Sequence, residues 1–263
     1  MTSFVGERAL RVRTAMRGSS WPVVVETARG AFFTKLRGAA QGTSALVAEI
    51  VAAELAERLD LPVPRRQLIE IEPGLPSADP HGELRQLLDA SVGLNLGFEL
   101  IQGARDWTAD KLERVPEALR ARIVWFDAWI MNVDRTSQNP NLMLRGDALW
   151  LIDHGASLTF QHDWPGVRED TPREAGDFVK RHLFQLSDAA LWQVDEELAQ
   201  RVPRASLEAA LAAVPDDFLL SMPSPLGKAA ARDLERERAA YVAFLWKRLK
   251  PPRPFLARRP FGL

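Results

Sequence analysis

The chain contains no cysteine, which excludes disulfides, thiol nucleophiles and thiolate metal sites together. Lysine is scarce, with six residues against 28 arginines, so a lysine in an unusual setting is conspicuous. No run of 18 apolar residues occurs, and no basic stretch followed by an apolar one opens the N-terminus. No membrane-spanning helix or export signal is therefore expected, and the reading is of a soluble, cytoplasmic protein. Charge of one sign is not in excess either: 34 basic and 35 acidic residues leave a net −1. A general binder of nucleic acid or of membrane surfaces is not expected from that balance. What is present is ordinary for a folded protein, 46% hydrophobic and 26% charged over 263 residues. Bulk disorder, collagen and long coiled coils are excluded by those values. A chain of this size can bury roughly 73% of its unfolded surface, enough for one large domain or two lobes.

The first third reads as strands followed by one helix. Ala9 to Thr14 alternates apolar and polar, Trp21 to Glu26 is rich in valine, and Ala31 to Leu36 is a third apolar strand. Turn-rich links at Met16–Ser20 and Arg29–Gly30 make these three an antiparallel meander. A helix is expected from Thr43 or Ser44 to Leu59, stopped near Pro62 and Pro64. Strands follow at Gln67–Ile71 and Gly97–Ile101, with a loop at Pro73–Pro80 between them. The remainder reads as mostly helical: 116–131, 174–184, 188–201, 204–213 and 226–249, with a hairpin of 142–144 and 149–152 around Arg145-Gly146-Asp147. The expected class is α+β and bilobal, with a small β-rich N-lobe over 1–101 and a larger helical C-lobe over 102–263.

The densest chemistry lies in Asn132-Val133-Asp134-Arg135-Thr136-Ser137-Gln138-Asn139-Pro140-Asn141, then the hairpin, then Asp153-His154-Gly155. Asn139 precedes Gly146 by seven residues and Asp153 follows it by seven. Antiparallel pairing would bring both to the open end of the hairpin. An amide oxygen and a carboxylate there can share one hard cation such as Mg²⁺, which takes its other ligands from water and phosphate. Asp134, on the same loop, is placed to orient or deprotonate a hydroxyl beside that metal.

Lys35 lies inside the apolar strand. Glu49 has only Ala45, Leu46, Ala52 and Ala53 at helical spacing, so it faces inward. A buried carboxylate and a buried ammonium each need a partner, and Lys35 with Glu49 satisfies both. The lysine would then grip nucleotide phosphates. Two glycine-containing loops could cover those phosphates. One is Gly18-Ser19-Ser20 and the other Gly38–Gly42, and the residues do not choose between them.

These residues resemble the protein-kinase-like superfamily, and most closely the HipA-type kinases and their shorter relatives. The resemblance runs through Lys35, Glu49 in Leu46-Val47-Ala48-Glu49-Ile50, Leu61-Pro62-Val63-Pro64, Asp134-Arg135, Asn139-Pro140-Asn141-Leu142 and Leu151-Ile152-Asp153-His154-Gly155. It covers about residues 9 to 160. It implies that Lys35 contacts nucleotide phosphates with Glu49 as its partner, that Asp134 is the catalytic aspartate, and that Asn139 and Asp153 hold the metal. The family fold is bilobal, with ATP between the lobes. Thr136 stands where many relatives carry histidine, and His154 stands where eukaryotic kinases carry phenylalanine. Strand one begins near residue 9, so the extra N-terminal domain of full HipA toxins is not expected, which weakens any carry-over of toxin function, antitoxin partnership or DNA association and leaves the ATP site untouched.

The expected activity is transfer of the γ-phosphate of Mg-ATP to a hydroxyl. A protein serine or threonine is favoured as acceptor, and a small-molecule alcohol is the alternative. A nucleotide-binding pseudokinase-like module and nucleotidyl transfer are the rival readings. Connector residues Glu99, Leu100, Ile101 and Gln102 are expected to meet the adenine through backbone groups. His81, His154, His162 and His182 fit no compact zinc spacing. Trp125, Trp129 and Trp150 read as core, whereas Trp164 in its loop could line an acceptor pocket. The basic tail from Lys247 and the mixed-charge run Arg232–Arg238 read as solvated.

Overall fold

The computed structural model describes residues 6–15, 22–77, 82–227 and 232–258. The chain divides into two compact units, Met1–Leu46 with Pro64–Gly103 and Val47–Val63 with Ala104–Leu263. Among the described residues no helix is long and apolar enough to cross a membrane.

The first unit is built on one six-stranded sheet. Its strands are β1 (Glu7–Arg8), β2 (Arg11–Ala15), β3 (Val23–Thr27), β4 (Gly30–Lys35), β5 (Arg66–Ile71) and β6 (Gly93–Glu99), in the order β1-β5-β6-β4-β3-β2. The meander β2–β3–β4 is antiparallel throughout, and β1 joins β5 in parallel. Alternation sets the buried face: Val23, Val25 and Thr27 point inward while Val24 and Glu26 do not. That face packs with Phe32, Ile69 and Ile71 against Leu84 and Leu88 of α2 (Gly82–Asp89). α2 has too few apolar residues to stand out in the sequence, and β6 begins at Gly93 rather than at Gly97, where the sequence placed it. The Gly18-Ser19-Ser20 link lies outside the described residues.

The loop after β4 is latched from below. Asn95 Oδ1 accepts from the Arg37 amide at 2.8 Å, and Ser91 Oγ accepts from the Gly38 amide at 3.1 Å. Asn95 Nδ2 in turn donates to the Ser91 and Gly93 carbonyls at 2.8 and 2.9 Å. Helix α1 (Gly42–Arg58) follows, opening at Gly42 with a φ of +59° that favours glycine. It is apolar nearly all round, and so it is buried on all sides from Leu46 to Ala53.

In the second unit α3 (Glu117–Trp129) is the central helix, with no residue from Ile123 to Trp129 exposed. A three-stranded sheet of β7 (Arg105–Asp106), β8 (Leu142–Arg145) and β9 (Ala148–Leu151) carries the hairpin. Helices α4 (Phe178–Arg181), α5 (Asp188–Gln200), α6 (Arg204–Ala212), α7 (Asp216–Leu220) and α8 (Leu234–Leu249) complete it. Trp125 Nε1 donates to Asp195 of α5 at 2.8 Å, and Trp129 Nε1 donates to the Leu245 carbonyl of α8 at 3.2 Å.

Several expectations are corrected here. The helix expected over 174–184 is the four-residue α4, because Gly176, at φ +67°, interrupts it. The last helix starts at Leu234 with Asp233 as its N-cap, not at Leu226. The basic tail is not simply solvated. Arg248 is fully buried and donates to the Ala128 and Trp129 carbonyls, both at 3.1 Å, so it caps the C-terminus of α3. Burial pushes its pKa down to about 10. Arg253 pairs with Asp195 at 2.7 Å. Within the mixed-charge run, Glu237 is buried and paired with Arg232 at 2.6 Å. Trp164 packs in the core at 4.9 Å from Tyr241 and 5.2 Å from Phe160, so it lines no acceptor pocket.

The latch makes Gly38 sensitive. A Cβ there would lie 2.9 Å from the Ala90 backbone carbon and 2.7 Å from Ser91 Oγ. Gly38→Ala is expected to cost about 1–3 kcal/mol in a denaturant titration, the usual cost of overpacking. Gly82→Ala, where nothing lies within 4 Å, is expected to leave the midpoint unchanged or raise it. Equal midpoints for the two variants would contradict the steric account.

Candidate functional site

The loop that follows α3 is organised from beneath by Asp127. This carboxylate is wholly buried in the apolar second half of α3. It accepts from Arg135 Nε at 2.6 Å, from Asn132 Nδ2 at 2.8 Å and from His182 Nε2 at 3.0 Å. His182 Nδ1 accepts from the Phe184 amide at 3.0 Å, so in the neutral ring Nε2 carries the hydrogen and donates to Asp127. Burial alone would raise the Asp127 pKa. The Arg135 charge and the His182 hydrogen bond outweigh it and hold the group well below the usual carboxylate range.

Arg135 extends the network upward. Its Nη1 donates to the Asn141 carbonyl and lies 3.4 Å from the Pro140 and Ile152 carbonyls. Its Nη2 lies 2.9 Å from His154 Nε2. Arginine only donates, so Nε2 accepts and His154 carries its hydrogen on Nδ1. That nitrogen faces Glu49 Oε2 at 3.9 Å. Glu49, Arg135 and His154 are each no more than 2% exposed, so one buried chain of polar groups runs from α1 to the loop.

Above this base the loop is tightly folded. Asn132 Oδ1 accepts from the Asp134 amide at 3.0 Å, and the Thr136 amide donates to the Asn139 carbonyl at 3.0 Å. Asp134 is half-buried. Its Oδ2 accepts from the side-chain amides of Asn139 at 2.8 Å and of Asn141 at 3.1 Å. A carboxylate only accepts, so both asparagines present nitrogen to Asp134 and turn their amide oxygens elsewhere. The structure therefore brings Asp134 and Asn139 together, as the spacing required.

The hairpin register is one step different from the symmetric one. β8 and β9 pair Arg145 with Ala148 and Leu142 with Leu151, so the turn is the two residues Gly146-Asp147, with Gly146 at φ +60°. The next pair is Asn141 with Ile152, joined at 3.1 Å. Asp153 then falls opposite Pro140, not Asn139, though both remain at the open end. Asn141 and Asp153 have φ of +50° and +57°, and Met131 and Leu158 have +60° and +55°. Left-handed backbone is uncommon outside glycine, and such residues cluster at functional sites.

In the first unit, Lys35 ends β4 at 8% exposure, paired with Leu96. Glu99 closes β6 opposite Phe32, so the strand stops two residues short of the expected Ile101. Glu99 and Leu100 are exposed, and Ile101 is half-buried.

Sequence reasoning missed Asp127 and His182 as parts of the site, and it singled out the segment holding Asn132, Arg135 and Asn141 without giving these three a role. Asp127 had a signal, being the one charged residue in the apolar run Ile123–Ile130. Asn139 Oδ1 and the Asp153 carboxylate are hard oxygen donors, and this donor set fits Mg²⁺. Among the described residues no group of three or more His, Cys, Asp or Glu forms a cation site. An asparagine and an aspartate would need substrate oxygens or water to complete the shell.

A six-stranded, mostly antiparallel sheet followed by a helical unit that presents this loop and hairpin is an α+β fold of the protein-kinase-like class. The crystal structure of the Helicobacter pylori proinflammatory kinase CtkA has the same fold, with a TM-score of 0.57, 11% sequence identity and 91% of each chain covered. A sequence profile for HipA-like kinases matches residues 11–236. The chain belongs to the HipA-like kinase family, whose members are kinase-type phosphotransferases. No curated protein sequence matches it.

The buried network predicts a specific acid sensitivity. A pKa depressed below 3.8 in the folded state gives Asp127 a stabilising contribution that is complete above that value and fades as pH falls beneath it. Asp127→Asn is expected to cost about 3–5 kcal/mol at pH 7, because it leaves Arg135 buried without its counter-charge. The same variant should lose less stability than wild type between pH 4 and pH 2, measured by urea unfolding at each pH. Parallel pH profiles for the two proteins would rule out this role.

Proposed function

We propose that this chain transfers the γ-phosphoryl group of ATP to a hydroxyl acceptor, with Mg²⁺ required. The observation that carries this reading is the Asp134 carboxylate. It is half-buried and fixed by two asparagine amides, one of which, Asn139, has its oxygen turned away and available for a cation.

Asp134 is assigned the acceptor hydroxyl. Its Oδ2 is engaged by the two amides, so the remaining lone pairs are directed by them and can take a hydroxyl proton as the oxygen attacks. Asn139 and Asp153 would hold the Mg²⁺ ion. When bound, that ion neutralises charge on the phosphates and lets them be approached by a nucleophile. Lys35 is assigned contact with the phosphates and Glu49 the orientation of the lysine. The backbone at Glu99, Leu100 and Ile101 is assigned the adenine. His154 holds a fixed tautomer between Arg135 and Glu49, which ties the backbone at Asp153 to the base of the loop. Positioning and electrostatics, not covalent catalysis, would supply the rate enhancement. The favoured acceptor is a protein serine or threonine.

Asp134→Asn and Asp153→Asn are each expected to lower Mg²⁺-dependent ATP turnover or autophosphorylation by about 10²–10⁴-fold, the usual worth of a positioned acid-base group. Asp134→Asn should still show an ATP-induced rise in melting temperature. Wild-type turnover in both variants would overturn the assignment of roles. A nucleotide-induced thermal shift in the wild type with no phosphate on any product by mass spectrometry would make the protein a binding module.

A further inference from the structure

A cavity of about 230 Å³ opens beside the Asp134 loop, lined by Asn132, Val133 and Arg135 on one side and by Asp177, Phe178, Arg181 and His182 on the other. Val133 and Arg135 flank Asp134 in sequence, so the cavity wall is the same backbone stretch that carries the carboxylate. The two sides are bonded together: the Leu183 amide donates to the Arg135 carbonyl at 2.9 Å, and His182 reaches Asp127 at 3.0 Å.

The lining has a definite chemistry. Its buried polar groups are already engaged. Arg135 and His182 are committed to Asp127, and the Asn132 side chain uses both ends, on Asp127 and on the Asp134 amide. Asp177 pairs with Lys180 at 3.3 Å. Arg181 differs: it is exposed, and among the described residues its guanidinium has no hydrogen bond or ion pair. Beside it are two apolar surfaces. Val133 is 45% exposed although it is aliphatic. The Phe178 ring is held in place from two directions. The buried Arg248 guanidinium sits over it at 5.3 Å, and Gly176 has no side chain where a Cβ would come within 2.2 Å of the ring. A rigid aromatic wall, an exposed valine and an uncommitted cation bound an open cavity whose inner wall is saturated.

Resting on the phosphotransferase reading above, we propose that this cavity is the acceptor subsite, and that it takes an acidic side chain next to the hydroxyl of a polypeptide acceptor. The volume, about eight times that of a liquid water molecule, is ample for one side chain. Val133, Asp177 and Arg181 are exposed, so the cavity is open where a site for a free small molecule would enclose most of its ligand. An extended chain advances about 3.3–3.6 Å per residue. A hydroxyl held at Asp134 therefore places a neighbouring side chain at the adjoining wall. Its methylene groups lie on Val133 and Phe178, and its carboxylate pairs with Arg181 in a charge-assisted contact.

The test uses heptapeptides with a central serine flanked on both sides by aspartate, alanine or lysine. Phosphorylation by Mg-ATP and binding by fluorescence anisotropy are each measured on the full chain, on Arg181→Glu and on Val133→Asp. Both substitutions are at exposed positions, and folding is checked by an unchanged thermal melt. Wild type is expected to favour the aspartate peptide over the lysine peptide about tenfold in kcat/KM, carried by KM, the scale of one charge-assisted contact. Arg181→Glu should reverse the order, and Val133→Asp should weaken the aspartate peptide. If Arg181→Glu leaves the order unchanged while phosphorylation proceeds, the subsite is wrong and the phosphotransferase reading stands. If the reversal appears in anisotropy but no peptide gains phosphate, the subsite stands and the phosphotransferase reading is wrong. Faster phosphorylation of glycerol 3-phosphate than of any peptide would overturn the polypeptide assignment.

Discussion

A carboxylate placed in the buried, apolar last turns of a helix has to be satisfied by whatever folds over it. Asp127 has no solvent to turn to, and an unpaired buried charge costs several kcal/mol. The donors it collects come from three places: the start of the loop at Asn132, the middle of the loop at Arg135, and His182 on a segment about fifty residues further on. Once Arg135 is anchored there, its remaining N–H groups meet the carbonyls of Asn141 and Ile152 at the open end of the hairpin, and its outer nitrogen meets His154. The loop, the hairpin mouth and the Asp153-His154 turn are thus referred to one fixed point. Arg248 secures that point from the other side by capping α3 where the loop begins.

The parts of this arrangement that the sequence displayed are those governed by short-range periodicity. Alternation revealed β2, valine content and an apolar run revealed β3 and β4, and the apolar neighbours of Glu49 revealed that it is buried. The five-residue separation of Asp134 and Asn139 is short enough for a single loop to bring them together, and it does. The parts that were hidden depend on partners distant in sequence. Arg248 and Arg253 look like any other charges in a basic tail, because nothing local reveals that carbonyls of α3 and the carboxylate of Asp195 await them. α2 has few apolar residues and buries only a narrow stripe. The stretch 174–184 has helical composition, but one left-handed glycine at 176 interrupts it. The one-residue offset of Asp153 from Asn139 came from treating Gly146 as the centre of the turn, when it is the first of two turn residues.

The backbone around the loop is strained, and this strain is affordable only because the network beneath it is strong. Met131 and Leu158 adopt left-handed conformations without the help that asparagine or aspartate side chains give. Leu158 is nonetheless held, with its amide on the Ile130 carbonyl at 2.9 Å. Each such residue costs of order 1–3 kcal/mol, comparable to what one buried charged hydrogen bond returns. Their position matters: Met131 opens the loop, Asn141 ends it, and Asp153 and Leu158 bracket the turn that follows β9. Regular structure would have continued α3 or the hairpin through these points, and neither Asp134 nor Asp153 would then be held on an irregular segment.

Asp127 and Asp134 are seven residues apart and are treated in opposite ways. Asp127 is met by a guanidinium, so its charge is cancelled and its place in the fold is structural. Asp134 is met by two neutral amides, and among the described residues no cation pairs with it. Amides orient a carboxylate through their dipoles without removing its charge. An arginine in the position of Asn139 would cancel that charge, and under the proposed phosphotransfer it would disarm the group assigned to the acceptor hydroxyl. Asparagine also leaves an oxygen pointing away from Asp134, and a cationic side chain could not offer one to a metal. Asparagine at 139 and 141 gives the carboxylate a fixed direction while leaving its negative charge in place.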